Sequence, residues 1–479
     1  MNKKGTANMN NLEEMEQNRM GTAPVKKLVW NMGLPMIFSM VLQALYNIVD
    51  TASVINIPDI GTSANLALTY AFPIQIFMIA VGVGTGIGIN ALLSRNLGRG
   101  DKEAVSKAAG NGLFLGFVFY LAFLLFGLFG TRPFILVQAH SIGDEAQRSL
   151  VIDLGSSYLS ICCTLSIGQM LFTVYERFLQ AAGKNTQSMI GQMSGALLNI
   201  LLDYVLIYPA GLGVAGAAYA TVIGQFVSLL VDMAFHYLSN KEIQNTWKSL
   251  APDRGVISQI FAIGVPAMVM QALLSVMMLG TNVILSFAKY NGVTLQGSFG
   301  IYYKIQQIAL FACFGLSNAL ITLTSYNYGK MNFARVKEIQ KYGILDSLIV
   351  ALFITALFEI FASPIGQVFA LASGSEGGEV TETTVNAIRI GSIGFVFMAF
   401  SIAVQGLLQG IRSVFSPLII SLLRLAVFTF PLVYIFSLPE GNLWTFWFAF
   451  PISELLTSFA SYFLLRHGNK KRVTSLIRA

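Results

Sequence analysis

Residues 28–55 read LVWNMGLPMIFSMVLQALYNIVDTASVI, and Asp50 is the only charged side chain in that run. About 20 mostly apolar residues are enough to cross a bilayer core as a helix. The stretch is therefore predicted to span a membrane, and its single acid sits where a charge is costly. Eleven further runs have the same character, at 64–93, 108–130, 149–175, 187–208, 212–238, 256–288, 297–323, 343–370, 384–409, 415–437 and 442–465. They are too long and unbroken for barrel strands, which take about 10 alternating residues. Composition agrees. Of 479 residues 55% are hydrophobic and 11% charged, against about 25% charged in an ordinary soluble protein. A soluble enzyme and a disordered chain are both excluded. The expected fold class is an all-α integral membrane protein with twelve transmembrane helices.

The net charge of +7 comes from 30 Lys and Arg against 23 Asp and Glu. With the N-terminus on the cytoplasmic side, 24 of those 30 fall in cytoplasmic segments. Examples are Lys26 and Lys27 before the first run, Arg95, Arg99, Lys102 and Lys107 after the second, and Arg466 to Arg478 at the end. Arg132, Arg148 and Lys289 fall outside, and Lys304, Arg389 and Arg424 fall within spans. Such a bias sets orientation, with both termini cytoplasmic. It accounts for the basic balance without nucleic acid, so the expected partners are the lipid bilayer and small organic compounds around a monomer. Cys162, Cys163 and Cys313 all lie in apolar runs and suggest neither disulfides nor a metal site.

The two halves repeat. Ser94-Arg-Asn-Leu-Gly98 corresponds to Ser325-Tyr-Asn-Tyr-Gly329, Ile74-Gln75 to Ile305-Gln306, and Gly33-Leu34-Pro35 to Gly264-Val265-Pro266. Leu179-Gln180 similarly matches Leu408-Gln409. A duplicated six-span unit enters the membrane from the same side each time, so its two bundles are expected to be related by a pseudo-two-fold axis along the membrane normal. The expected domains are a cytoplasmic tail 1–27, a lobe 28–238, a polar linker 239–255, a second lobe 256–465 and a tail 466–479. Duplicated helical halves are the architecture of alternating-access transporters.

Acids at span depth are functional candidates. Asp50 lies about 33 Å along the first span and Asp203 about 24 Å along the fifth; Thr221 lies about 13 Å down the sixth from its other end. Asn199 is one turn before Asp203 on the same face. Two carboxylates, an amide and a hydroxyl thus meet at one level. The set Asp50, Asn199, Asp203 and Thr221 offers the oxygen ligands a hard cation such as Na⁺ needs. The two carboxylates in low dielectric equally suit a shared proton. Offsetting these positions into the second half gives Thr281, Leu432 and Phe450, so the acidic set belongs to one half only. Asp232 and Asp346 fall near cytoplasmic span ends and read as interfacial. Glu454, about 18 Å down the twelfth span, reads either as a second acid facing a cavity or as a partner for Arg424 or Arg389. Glu454, Gln225 and Met40 are the expected lining of a cargo cavity, methionine being adaptable to varied ligands. Pro35 is expected to bend the first helix.

No His-Glu-x-x-His, paired histidines or Gly-rich phosphate loop is present, so an enzyme and a resident cofactor are not expected. The chain resembles the multidrug and toxic compound extrusion (MATE) family over about 28–466. The residues carrying the likeness are LYNIVDT at 45–51, SRNLGRGD at 94–101, LQAAG at 179–183, LNILLDYVLI at 198–207 and GVAGAAYAT at 213–221. The resemblance implies a cell-membrane antiporter that exports organic, often cationic, amphipathic compounds in exchange for Na⁺ or H⁺. It implies a cation site at Asp50, Asn199, Asp203 and Thr221, with Tyr46 one turn before Asp50, and a bend of the first helix at Pro35. Tyr204 stands where relatives often have proline after the fifth-helix acid. The mid-membrane acids that other members carry in the seventh and tenth helices are absent. The competing expectation is a flippase or exporter of a lipid-linked or metabolite substrate on a related fold.

Overall fold

A computed structural model describes residues 19–244, 247–372, 378–440 and 443–474. Among the described residues the chain is helical and contains no strand. The spans are α1 (Val25–Ile55), α2 (Gly61–Arg99), α3 (Lys102–Phe129), α4 (Glu145–Thr164 with Ile167–Ala181), α5 (Asn185–Ile207) and α6 (Gly213–Ser239). They continue as α7 (Arg254–Ser286), α8 (Gly292–Gly329), α9 (Phe333–Ile360) and α10 (Gly378–Ser392 with Gly394–Gly410). Last come α11, from Phe415–Leu422 through a π turn to Thr429–Ser437, and α12 (Ala449–Asn469). Ten of these are long and apolar enough to cross a membrane singly, and the bent pairs α4 and α10, at 45° and 48°, complete twelve.

Local chemistry explains several ends. Asp144 opens α4 by accepting a hydrogen bond from the Ala146 amide at 3.0 Å, and Asn332 does the same for Arg335 at the start of α9. Gly211 and Gly213 take left-handed φ values of 67° and 53° and so turn the chain tightly from α5 into α6. The ninth span runs earlier than its apolar stretch suggests, because the polar segment after Phe333 is already helical and the helix ends at Ile360. The N-terminal segment is not wholly a free tail. A short helix, Arg19–Thr22, buries Met20, whose carbonyl accepts hydrogen bonds from Asn327 and Arg335. Residues 1–18 of the expected tail lie outside the described residues.

The chain divides into two compact units, and their borders do not fall at the 239–255 linker. One unit holds the chain up to Val41, Ser94–Asp101 and everything from Val269. The other holds Leu42–Leu93 and Lys102–Met268. Both α1 and α7 therefore change unit midway. Glycine contacts give the reason. In the first unit a Cβ on Gly33 would lie 2.4 Å from Leu316 of α8, and one on Gly315 would lie 2.5 Å from the Met36 carbonyl. In the second, a Cβ on Gly84 of α2 would lie 2.4 Å from Met268, and one on Gly264 3.1 Å from the Gly84 carbonyl. The first part of α1 packs on α8 as the first part of α7 packs on α2. Gly33 with Gly264, and Gly84 with Gly315, are equivalent positions of the repeat.

Gly98 and Gly329, also equivalent, meet within the first unit. A Cβ on Gly98 would lie 2.0 Å from the Tyr326 carbonyl, and one on Gly329 2.1 Å from that of Arg95. Only glycine permits backbones to approach so closely.

Candidate functional site

The second unit assembles the acidic set. Two hydrogen bonds hold α1 in register with α5: the Gln192 amide donates to Gln43 Oε1 at 2.8 Å, and the Tyr208 hydroxyl donates to the Ser53 carbonyl at 2.8 Å. Asp50 and Asp203 lie between these ties. Asp203 is fully buried and Asn199 nearly so, while Asp50, Tyr46 and Thr221 are half-buried. Asp203 lies close enough to Asp50 to feel its charge. Asp50 Oδ1, both Asp203 oxygens and both amide atoms of Asn199 are buried without a hydrogen-bond partner. Orphaned buried polar atoms are rare because each costs about 1–3 kcal/mol. Four of the five are oxygens, three of the carboxyls and one of the Asn199 amide, and they form a ligand set that suits a hard monovalent cation or a proton.

The α5–α6 crossing fixes Asn199. A Cβ on Gly195 would lie 2.3 Å from the Gly224 carbonyl, and one on Gly224 would lie 3.1 Å from Asn199 Cβ. Thr221 is one turn from Gly224 on α6. Tyr46 is close enough to both acids to feel their charge.

Two residues escaped sequence reasoning. Tyr158 of α4 is buried beside Asp50 and Asp203, and its hydroxyl accepts a hydrogen bond from Gln75 of α2 at 2.7 Å. Gln75 was visible as a repeat landmark, since an amide inside an apolar run wants a partner. Nothing in the sequence distinguishes Tyr158 from the other tyrosines.

The expected cargo-lining residues are divided between the two units. Gln225 is half-buried in the second unit, whereas Met40, Glu454 and the bend residue Pro35 belong to the first. Glu454 is buried and paired: Arg424 Nε donates to its Oε1 at 2.7 Å. The π turn Leu423–Val427 places Arg424 inward and leaves its carbonyl to accept from Ser453 and Thr429. Asp232 and Asp346 are buried, and both oxygens of each have no hydrogen-bond partner. Among the described residues no three His, Cys, Asp or Glu side chains gather as a transition-metal site needs.

The MatE family model matches residues 35–205 and 260–435, one segment in each half of the repeat and most of the chain. The chain belongs to the MatE family. Among its relatives is the multidrug export protein MepA of Staphylococcus aureus strain MSSA476. The two are 26% identical over 451 residues, which are 92% of this chain and 94% of that protein. MepA of Staphylococcus saprophyticus is also 26% identical, over 78% of this MatE chain and 80% of its own length. A multidrug resistance MATE family transporter of the MOP superfamily, solved in an outward-facing conformation, superposes with TM-score 0.87 at 22% identity. It covers 96% of this chain and 99% of that one. A MOP superfamily transporter from Pyrococcus furiosus gives 0.84 at 22% identity, over 96% and 98%. These solved structures show that the MatE chain has the twelve-helix fold.

Proposed function

We propose that the chain is a secondary active multidrug efflux transporter of the cell membrane, with both termini cytoplasmic. It exports organic, often cationic, amphipathic compounds in exchange for Na⁺ or H⁺ by alternating access. The observation that carries this reading is the buried Asp50–Asp203 pair with its orphaned polar neighbours, in a family whose curated relatives are multidrug export proteins. Binding a cation or proton there removes a repulsion between α1 and α5. An ion that binds one conformation better than the other shifts the equilibrium by its difference in affinity.

A flippase for a lipid-linked pyrophosphate would need several free cations at span depth. Arg424 is neutralised by Glu454, which leaves Lys304 and Arg389. The reading as an exporter of single-charged compounds is better supported.

The test is efflux of a cationic dye from proteoliposomes under separately imposed Na⁺ and pH gradients. One or both gradients should drive export. If neither does, the antiport reading is wrong.

A further inference from the structure

α8 is the most enclosed of the ten spans that cross singly. Tyr302, Ile305, Ala309 and Leu310 are buried on its closed sides. One narrow stripe stays open. It runs at helical spacing through Gly297, Gly300, Lys304, Gln307, Phe311 and Phe314, each exposed or half-buried. A methyl group added at Gly297 or Gly300 would touch nothing within 4 Å. Lys304 lies twelve residues past Gly292, about 18 Å along the helix. That is near the middle of a hydrocarbon core about 30 Å thick.

A lysine at that depth needs an explanation. Its four-carbon stem does not carry the ammonium to either interface. Among the described residues it takes part in none of the four ion pairs, which are Lys107–Glu103, Arg132–Asp153, Arg177–Glu176 and Arg424–Glu454. Exposed positions on α7, such as Val276, Leu279 and Val283, are apolar, as a lipid-facing surface should be. The α8 stripe instead carries two glycines, a lysine and a glutamine before it ends on Phe311 and Phe314. Ionisable groups at membrane depth face a water-filled path rather than acyl chains.

We propose that this stripe binds the carboxylate of an amphipathic organic anion, with Lys304 as its counter-charge and the Phe311 and Phe314 rings against its apolar body. A single ammonium is a compact point charge suited to one carboxylate; a phosphate ester would call for the bidentate fork of an arginine, and none lies on the stripe. Few polar groups against an apolar, aromatic wall is the usual make-up of a small-molecule site. The inference rests on the transporter reading and adds an anionic class to its cargo.

The test compares a dansylated long-chain carboxylic acid with its methyl ester, binding to the purified full-length chain in phosphatidylcholine vesicles with no gradient. Wild type should bind the acid at least about tenfold more tightly than the ester. K304M and K304Q should lose that preference, and K304R should keep it. Equal binding of acid and ester by wild type would overturn the proposal without any variant needing to fold. So would a preference that survives in K304M. If adding phosphatidylglycerol displaces the acid from wild type, a lipid headgroup is what the stripe selects, and the proposal also fails. Because no gradient is used, these outcomes are separate from failure of ion-driven dye efflux, which would remove the antiport reading alone.

Discussion

The two halves of the molecule use equivalent positions for opposite chemistry. Asp50, Asp203 and Thr221 in the first half have Thr281, Leu432 and Phe450 as repeat equivalents. Thr281 is buried with only the Met277 sulfur to donate to. Leu432 packs against an apolar cluster, and Phe450 stacks on Phe299 with centroids 5.7 Å apart. Tyr302, Phe446 and Trp447 belong to the same cluster. Where the first half keeps Asp50 and Asp203 with unpartnered oxygens, two of the three equivalent positions in the second, Leu432 and Phe450, belong to an aromatic core. The second half does bury an ion pair, but Arg424 and Glu454 neutralise each other. Duplication therefore supplied the frame twice, and the acids at these positions stand in one copy only. A carboxyl pair without a built-in counter-charge can change its packing when a cation arrives; a neutral ion pair such as Arg424–Glu454 has no such lever.

The sharpest way to break this contrast is to remove the acids. Asp50→Asn or Asp203→Asn should reduce dye efflux to background while the protein still reaches the membrane. Full efflux in both variants would take the acidic pair out of the mechanism. The next largest effect belongs to the neutral pair and should appear in stability. Arg424→Met strands a buried carboxylate and should cost about 3–5 kcal/mol, read as a lower Tm in detergent. Adding Glu454→Gln should recover most of that loss. Absence of recovery would show that the two groups do not act as a pair. A smaller effect is expected at the helix crossing. Gly195→Ala places a methyl against the Ser228 hydroxyl and the Gly224 carbonyl. Forcing α5 and α6 apart there should cost about 1–3 kcal/mol and raise the Na⁺ or H⁺ concentration needed for half-maximal efflux. An unchanged requirement would show that the crossing does not hold Asn199 in place.

The spans were legible because lipid demands long apolar runs, and Asp50 and Asp203 because each interrupts one. Helix ends were less so. Apolarity stops at the edge of the lipid, whereas α8 continues to Gly329 through the polar Ser325–Tyr328. The bends in α4 and α10 have no proline at the break to announce them. At the π turn Leu423–Val427, Pro431 withholds the amide from which the Val427 carbonyl would otherwise accept. The change of unit within α1 and α7 depends on which glycine faces which helix. The landmarks Gly33 and Gly264 showed that the two positions were equivalent, but not what each would meet. Tyr158 was invisible because its link to Gln75 joins residues 83 apart.

That link gives the finest test of the asymmetry, because the repeat supplies its own control. Gln75 and Gln306 are equivalent amides in α2 and α8. Gln75 donates to the Tyr158 hydroxyl, so the phenol keeps its own proton for another acceptor, and Cys162, Asp50 and Asp203 are the titratable groups that act on it. Gln306 is buried, and its Oε1 has no hydrogen-bond partner. Gln75→Ala removes one hydrogen bond, about 1 kcal/mol, and leaves the phenol free to turn. It should shift the half-maximal Na⁺ or H⁺ concentration for efflux by about fivefold with little change in the maximal rate. Gln306→Ala, in the half without the acids, should leave that concentration where it is. An equal shift from both substitutions would mean that ion response is spread over the two halves, and the acidic pair would then share its role with the aromatic half.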